Sequence, residues 1–221
     1  MQALLDKSIQ APYKLLYFCV PRLRFLKTAT GQQYLDFGCG DAATLRQNLA
    51  VRPDLNCFCI DIKDFSKDLP AEIPFTLYDG MHIPFCSNTF DIITVNHVLE
   101  HVRDPKTTLS ELKRIVKAGG HIFIEVPNER SLWGKPGSRF AGTVHFKDDP
   151  THIRPYSKRD LIELCRNIGL KIIKSGISRN MLHLILSPAL FIMGLLLPKT
   201  LCFMYARNSI IGWASFVILK K

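Results

Sequence analysis

The chain has 221 residues, 47% of them apolar, which suffices for one substantial core and matches the size of a single domain. Its formal net charge of +10 rests on the flanks: residues 1–30 carry five Lys/Arg against one acid and residues 171–221 seven against none, leaving 31–170 near neutral. That distribution argues against a nucleic-acid stripe, which needs clustered cations among stacking aromatics, and seven cysteines without a C-x-x-C pair argue against a disulfide framework.

In chain order, residues 1–30 read as a basic amphipathic helical segment with a helix over 4–18. Tyr13-Lys14-Leu15-Leu16-Tyr17-Phe18 and Pro21-Arg22-Leu23-Arg24-Phe25 alternate bulky apolar and cationic residues, a pattern suited to a membrane surface. The apolar run Leu15 to Val20 is too short for a secretory signal, so a cytoplasmic protein with peripheral contact at the inner membrane face is expected. Strands are expected over 33–37, 57–61, 73–77, 91–95, 121–126, 170–176 and 213–219, with helices over 42–49, 106–116 and 158–167 between them. Strands alternating with helices predict an α/β fold, a mostly parallel sheet covered on both faces, filling 31–221.

The first strand ends in Asp36-Phe37-Gly38-Cys39-Gly40-Asp41-Ala42. Two glycines at a strand-to-helix turn let a ligand approach the main chain, and the following helix offers unpaired N–H groups there. The second strand, Cys57 to Asp61, ends in an acid about twenty residues on, where dinucleotide folds place a carboxylate on ribose hydroxyls. Asp79-Gly80 reads either as a plain turn or as a second cofactor contact. His97-Val98-Leu99-Glu100-His101 matches a zinc signature, H-x-x-E-H, yet it needs a third ligand that the downstream sequence does not announce, so no metal is expected and His101 reads as structural.

Candidates for a general base cluster after the fifth strand: His145, Asp148, Asp149, His152, Arg154 and Tyr156, of which His152 and His145 are the catalytic candidates. The glycine-rich loop 128–150 is long enough to form a lid. Residues 180–206 read as an apolar helical insert. Its stretch Asn180 to Pro198 carries no formal charge and sits at the length threshold of a membrane span, but a crossing would strand the last β-strand on the wrong side. The insert is therefore expected to roof an acceptor pocket or to dip into one leaflet.

Several motifs in order share one resemblance: Asp36-x-Gly38-x-Gly40, Tyr78-Asp79-Gly80-Met81-His82-Ile83-Pro84-Phe85, the stretch Asn88 to Val102, Asp104-Pro105 and the stretch Glu111 to Asn128. Together they resemble class I S-adenosylmethionine-dependent methyltransferases, in the branch containing quinone-biosynthesis and sugar- or lipid-tailoring enzymes. Ala42 and Ala118 stand where that family usually has glycine and proline. The resemblance implies a Rossmann-like seven-stranded sheet of order 3-2-1-4-5-7-6 with an antiparallel last strand. It further implies that Asp36, Gly38 and Gly40 line the methionine part of S-adenosylmethionine, Asp61 binds the ribose, Ile62 covers the adenine, Asp79, Gly80 and Met81 hold the adenine edge, and Asn96 faces the sulfonium. O- or C-methylation of a small, apolar or lipid-linked acceptor is then the expected activity. A nicotinamide-dependent dehydrogenase and a non-catalytic S-adenosylmethionine-binding protein are the alternatives.

Overall fold

The computed structural model describes residues 17–137 and 139–221. The portion of the expected helix 4–18 before Tyr17, together with Tyr13 to Leu16, lies outside them. Residues Tyr17–Cys19 form a single 3₁₀ turn, and the first helix, α1, runs Pro21–Thr28. Proline at its first turn supplies a fixed φ and costs no hydrogen bond, which sets the start. Its face is not free for lipid: Leu23, Phe25 and Leu26 are buried, and so is Arg22. In the stretch Pro21-Arg22-Leu23-Arg24-Phe25 the alternation read as a membrane-surface pattern is thus the docking face of a core helix, with Arg24 and Lys27 left outside.

Strands β1 (Gln33–Phe37), β2 (Asn56–Asp61), β3 (Phe75–Leu77), β4 (Phe90–Asn96), β5 (Val116–Pro127), β6 (Lys171–Ser178) and β7 (Ala214–Lys220) form one sheet. Their order is β3-β2-β1-β4-β5-β7-β6. β1 pairs in parallel with β2 and β4, whereas β7 runs antiparallel between β5 and β6. The antiparallel insertion requires the chain to return from the edge strand β6, and helices α5 (Met181–Ile185), α6 (Ser187–Leu196) and α7 (Cys202–Ile211) make that return.

Alternation along the strands sends successive side chains to opposite faces. Leu35 and Phe37 meet Leu109 and Leu112 of α3 (Pro105–Ile115) and Leu161 and Cys165 of α4 (Lys158–Asn167). Tyr34 and Cys57 instead meet Leu23 and Leu26 of α1 and Leu45 and Leu49 of α2 (Ala43–Val51). Both faces are therefore dry, as a parallel sheet requires. The edge strand β6 keeps Lys171 and Lys174 outward, which discourages pairing with another chain. Asp104 caps α3 by accepting from the Lys106 and Thr107 N–H groups, and Ser157 with Asp160 closes a capping box on α4.

Candidate active site

Strand order reverses between β1 and β4, and in open α/β sheets ligands bind beyond the carboxyl ends of strands at that point. The loop leaving β1 has Gly38 at φ 72° and Gly40 at φ 50°. A side chain on Gly38 would strike Val98, whereas a Cβ on Gly40 would meet nothing within 4 Å, so the main chain there borders open space. Ala42 follows at φ 63°, an uncommon left-handed alanine, at the position where the resembling family carries glycine. Asp61 at the end of β2 closes this loop: its Oδ2 accepts from Gly40 N–H at 3.0 Å and its Oδ1 from Lys63 N–H at 3.1 Å. Ile62 and Met81 are exposed, and a Cβ on Gly80 would sit 3.6 Å from Ile62 Cγ2. Asp79 Oδ1 accepts from the Met81 and His82 N–H groups, and those bonds hold its carboxyl below the usual range.

Beneath the glycine loop, a polar chain crosses the core. Arg22 donates to Asn48 Oδ1 (2.8 Å), Asn48 to the Tyr34 hydroxyl (2.7 Å), Tyr34 to Thr94 Oγ1 (2.5 Å), and Thr94 to Asp36 Oδ1 (2.8 Å). Burial pushes the Asp36 carboxyl up to about 6, against the Thr94 hydrogen bond and the Arg22 charge. Its Oδ2 is buried without a partner, as are both amide atoms of Asn96 at the end of β4. Orphaned buried polar atoms on both sides of the switch point are what a bound polar group would satisfy. Sequence reading placed Asp36 and Asn96 in the site but not Arg22, Asn48, Tyr34 and Thr94, because the contacts linking them join residues 14 to 60 apart in the chain.

A cavity of about 680 Å³ is lined among others by Arg22, Gln47, His97, His101, His152 and Tyr205. It is walled by the ends of β4, β5 and β6, the start of β7, and α1, α2, α5 and α7. Residues 38–42, Asp61, Ile62 and 79–81 are not among the residues that line this cavity. His97 sits at φ 53°, a strained backbone for a non-glycine residue. Its Nδ1 lies 3.2 Å from Glu100 Oε1 and its Nε2 3.4 Å from Glu125 Oε1. Burial opposes its charge, but the two carboxylates outweigh that and push the imidazole up to about 10.

His152 lines the cavity, with Nδ1 2.7 Å from the Phe146 carbonyl. His145 does not reach it. That ring is buried, accepts from Lys147 N–H through Nδ1 and meets the Leu132 carbonyl through Nε2, so both nitrogens serve the loop. Asp148 ties the same loop by accepting from Gly137, Val144 and His145 N–H groups. Arg207 of α7 holds it through the Val144 and Trp133 carbonyls, and the Tyr156 ring takes the Arg154 guanidinium 5.2 Å from its centroid. Asn128, fully buried, donates to the Gly212 carbonyl and to Ser215 Oγ, locking the end of β5 to β7.

A family model described as a methyltransferase domain matches residues 13–175. The chain belongs to this family. The fold agrees: S-adenosylmethionine-dependent methyltransferases of Mesorhizobium loti (TM-score 0.63, 12% identity, 91% of this chain and 96% of that one) and of Archaeoglobus fulgidus (TM-score 0.60, 19% identity, full coverage of both) superpose on it. A Methanocaldococcus jannaschii protein of uncharacterized function is 32% identical over 117 residues, covering 51% of this chain and 56% of its own. A Streptomyces griseus demethylmenaquinone methyltransferase is 36% identical over 67 residues, 30% of this chain and 29% of its own. The chain thus matches between about a third and a little over half the length of these two relatives. It is a class I S-adenosylmethionine-dependent methyltransferase domain, and the orphaned Asp36 and Asn96 atoms, the open face at Gly40 and the exposed Ile62 and Met81 side chains are compatible with that methyl donor.

Proposed function

We propose that this methyltransferase methylates oxygen or carbon on a small, apolar or lipid-linked acceptor held in the 680 Å³ cavity. The cavity is the observation that carries the reading. It is lined by His97 just beyond β4 and offers imidazoles and a phenol, with Val20, Pro21, Met204, Trp213 and Ala214 as its apolar walls and charged and amide side chains between them. S-adenosylmethionine supplies an already activated methyl group, so the protein's task is placement and the exclusion of water. On the cofactor side, Gly38 and Gly40 border the methionine moiety, Asp36 and Asn96 meet its polar groups, Asp61 accepts from the ribose hydroxyls, and Ile62, Asp79, Gly80 and Met81 frame the adenine. On the acceptor side, His101 and His152 are placed to activate a hydroxyl.

The apolar character of the acceptor is supported by α5 and α6, which carry Ile185, Ile192, Leu196 and Leu197 outward, each more than half exposed, beside the cavity roof. An exposed apolar face of this kind suits contact with a bilayer or with a lipid tail. Two matched relatives are named demethylmenaquinone methyltransferase, which supports a quinone-type acceptor within this reading. Among the described residues no helix is long and apolar enough to cross a membrane. Incubation with labelled S-adenosylmethionine and separated lipid and water-soluble metabolite fractions tests the reading: label should enter the lipid fraction. Label confined to large, charged soluble metabolites would reject it.

A further inference from the structure

The sequence leaves H-x-x-E-H without a third ligand; the fold supplies one and rejects the first. His97 has both ring nitrogens engaged by Glu100 and Glu125. His152, fifty-one residues beyond His101, comes in its place: one ligand atom from each of Glu100, His101 and His152 lies within 4.8 Å of the others. The two imidazole centroids are 4.8 Å apart.

Hydrogen bonding around this trio fixes the tautomers. Thr151 Oγ1 donates to Asp149 Oδ1 at 2.6 Å, so its lone pair is left to accept from His101 Nδ1–H at 2.9 Å. His152 Nδ1–H donates to the Phe146 carbonyl at 2.7 Å. Both Nε2 atoms therefore keep their lone pairs, and among the described residues neither has a hydrogen-bond donor on it; Asp149 Oδ2 at 3.8 Å from His152 Nε2 is beyond hydrogen-bond reach. Glu100 is fully buried, with Oε1 against His97 and Oε2 without any partner. A buried carboxylate oxygen left bare is destabilising unless a donor or a cation meets it. A neutral histidine pair with its outer nitrogens bound to carbonyl and hydroxyl is the arrangement that orients imidazoles on a metal.

We propose that Glu100, His101 and His152 form a binding site for a divalent transition-metal cation of the zinc class, on the cavity side of β4. Two imidazoles and one carboxylate favour that class over magnesium, which prefers an all-oxygen shell, and leave coordination positions open toward the cavity. The site rests on the reading of the cavity as the acceptor side: a cation there would lower the pKa of an acceptor hydroxyl, and His152 would act as a ligand instead of as a free base.

The test uses the full chain stripped of metal by a chelator and titrated with Co²⁺, Zn²⁺ or Mg²⁺. One equivalent of Co²⁺ with ligand-field absorption in the visible, displaced by Zn²⁺ and not by Mg²⁺, is expected. His101→Ala and His152→Ala should each abolish it, Thr151→Val should weaken it about 10- to 100-fold through loss of the outer hydrogen bond, and His183→Ala should leave it intact. S-adenosylmethionine affinity, read by calorimetry on the same variants, should hold, which separates failure of the metal site from failure of the cofactor site. Absence of Co²⁺ binding, or binding that survives both histidine variants, would overturn the proposal. Glu100→Gln is a secondary variant because its side chain is wholly inside.

Discussion

Two acids at the switch point carry different burdens, and each yields a measurement. Asp61 is half-exposed and braces the loop through Gly40 and Lys63, so Asp61→Asn keeps an acceptor for the loop while removing the charge. Loss of charge-assisted bonds to ribose hydroxyls, worth about 1.5–3 kcal/mol, should weaken S-adenosylmethionine at least roughly tenfold in calorimetry. Unchanged affinity would take Asp61 out of the site. Asp36 is dry and titrates near 6 in the folded protein, against 3.8 for an ordinary aspartate, chiefly because burial disfavours its charge. Between those two values the unfolded chain has lost a proton that the native state retains, so stability should fall as pH rises from about 4 to about 6 and stay level above. The total is about 3 kcal/mol. Urea melts of the ligand-free protein at several pH values should show this decline, and Asp36→Asn should remove it; equal pH profiles in the two proteins would show that Asp36 is not desolvated.

At the scale of elements, the seven strands and the helices that cover them follow from alternation and from capping residues visible in the sequence: Asp104 before α3, Ser157 and Asp160 around the start of α4, and Gly169 after it. The glycine loop and the acids ending β1 and β2 were legible for the same reason, since their chemistry is local. What was not legible depends on distant contacts. Arg22 looks like one more surface cation until Gln47 and Asn48, twenty-five and twenty-six residues on, receive it. His145 and His152 look alike until the backbone partners of each are known, and Glu100 and His101 lack a third ligand until the chain folds His152 onto them. The uncharged run 180–198 is ambiguous in length, and a single residue resolves it. Pro188 cannot donate into a continuing helix, so the run breaks into α5 and α6, five and ten residues long. α6 then lies on α7 at Gly194, where a Cβ would come within 2.5 Å of Phe203 N. Gly194→Ala should push these helices apart and lower stability by about 1–3 kcal/mol, the usual range for overpacking. A melting temperature equal to that of the wild type would mean that the contact is not close in solution.

For the molecule as a whole, the apolar return from β6 to β7 and the uneven charge meet on one side. Phe140 and Ala141 border α6 and α7, because Ala141 N–H donates to the Pro198 carbonyl and Phe140 stacks on Phe203 at 3.7 Å. Exposed Arg139 and Lys199 each adjoin one of these contacts in sequence, and Trp133 and Lys135 are exposed as well. Phe191, by contrast, leans on Phe203 and is partly spent inside, so the outward residues Ile192 and Leu196 are the sharper probes. Wild-type protein is expected to co-sediment with anionic vesicles, more weakly at higher salt because exposed cations are screened within about 10 Å at 0.1 M. The double variant Ile192→Ser and Leu196→Ser should bind less at every salt concentration, since burial of apolar area is not screened. The triple variant Lys135→Gln, Arg139→Gln and Lys199→Gln should mainly flatten the salt dependence, whereas Arg22 variants should instead lose stability, because that guanidinium is committed to Asn48 and Gln47 inside the fold. Cofactor affinity should hold in the two surface variants, as neither touches the loops beyond β1 and β2. Wild-type protein that stays in the supernatant with both anionic and neutral vesicles would restrict α5 and α6 to roofing the cavity, and the acceptor would then have to reach it from water.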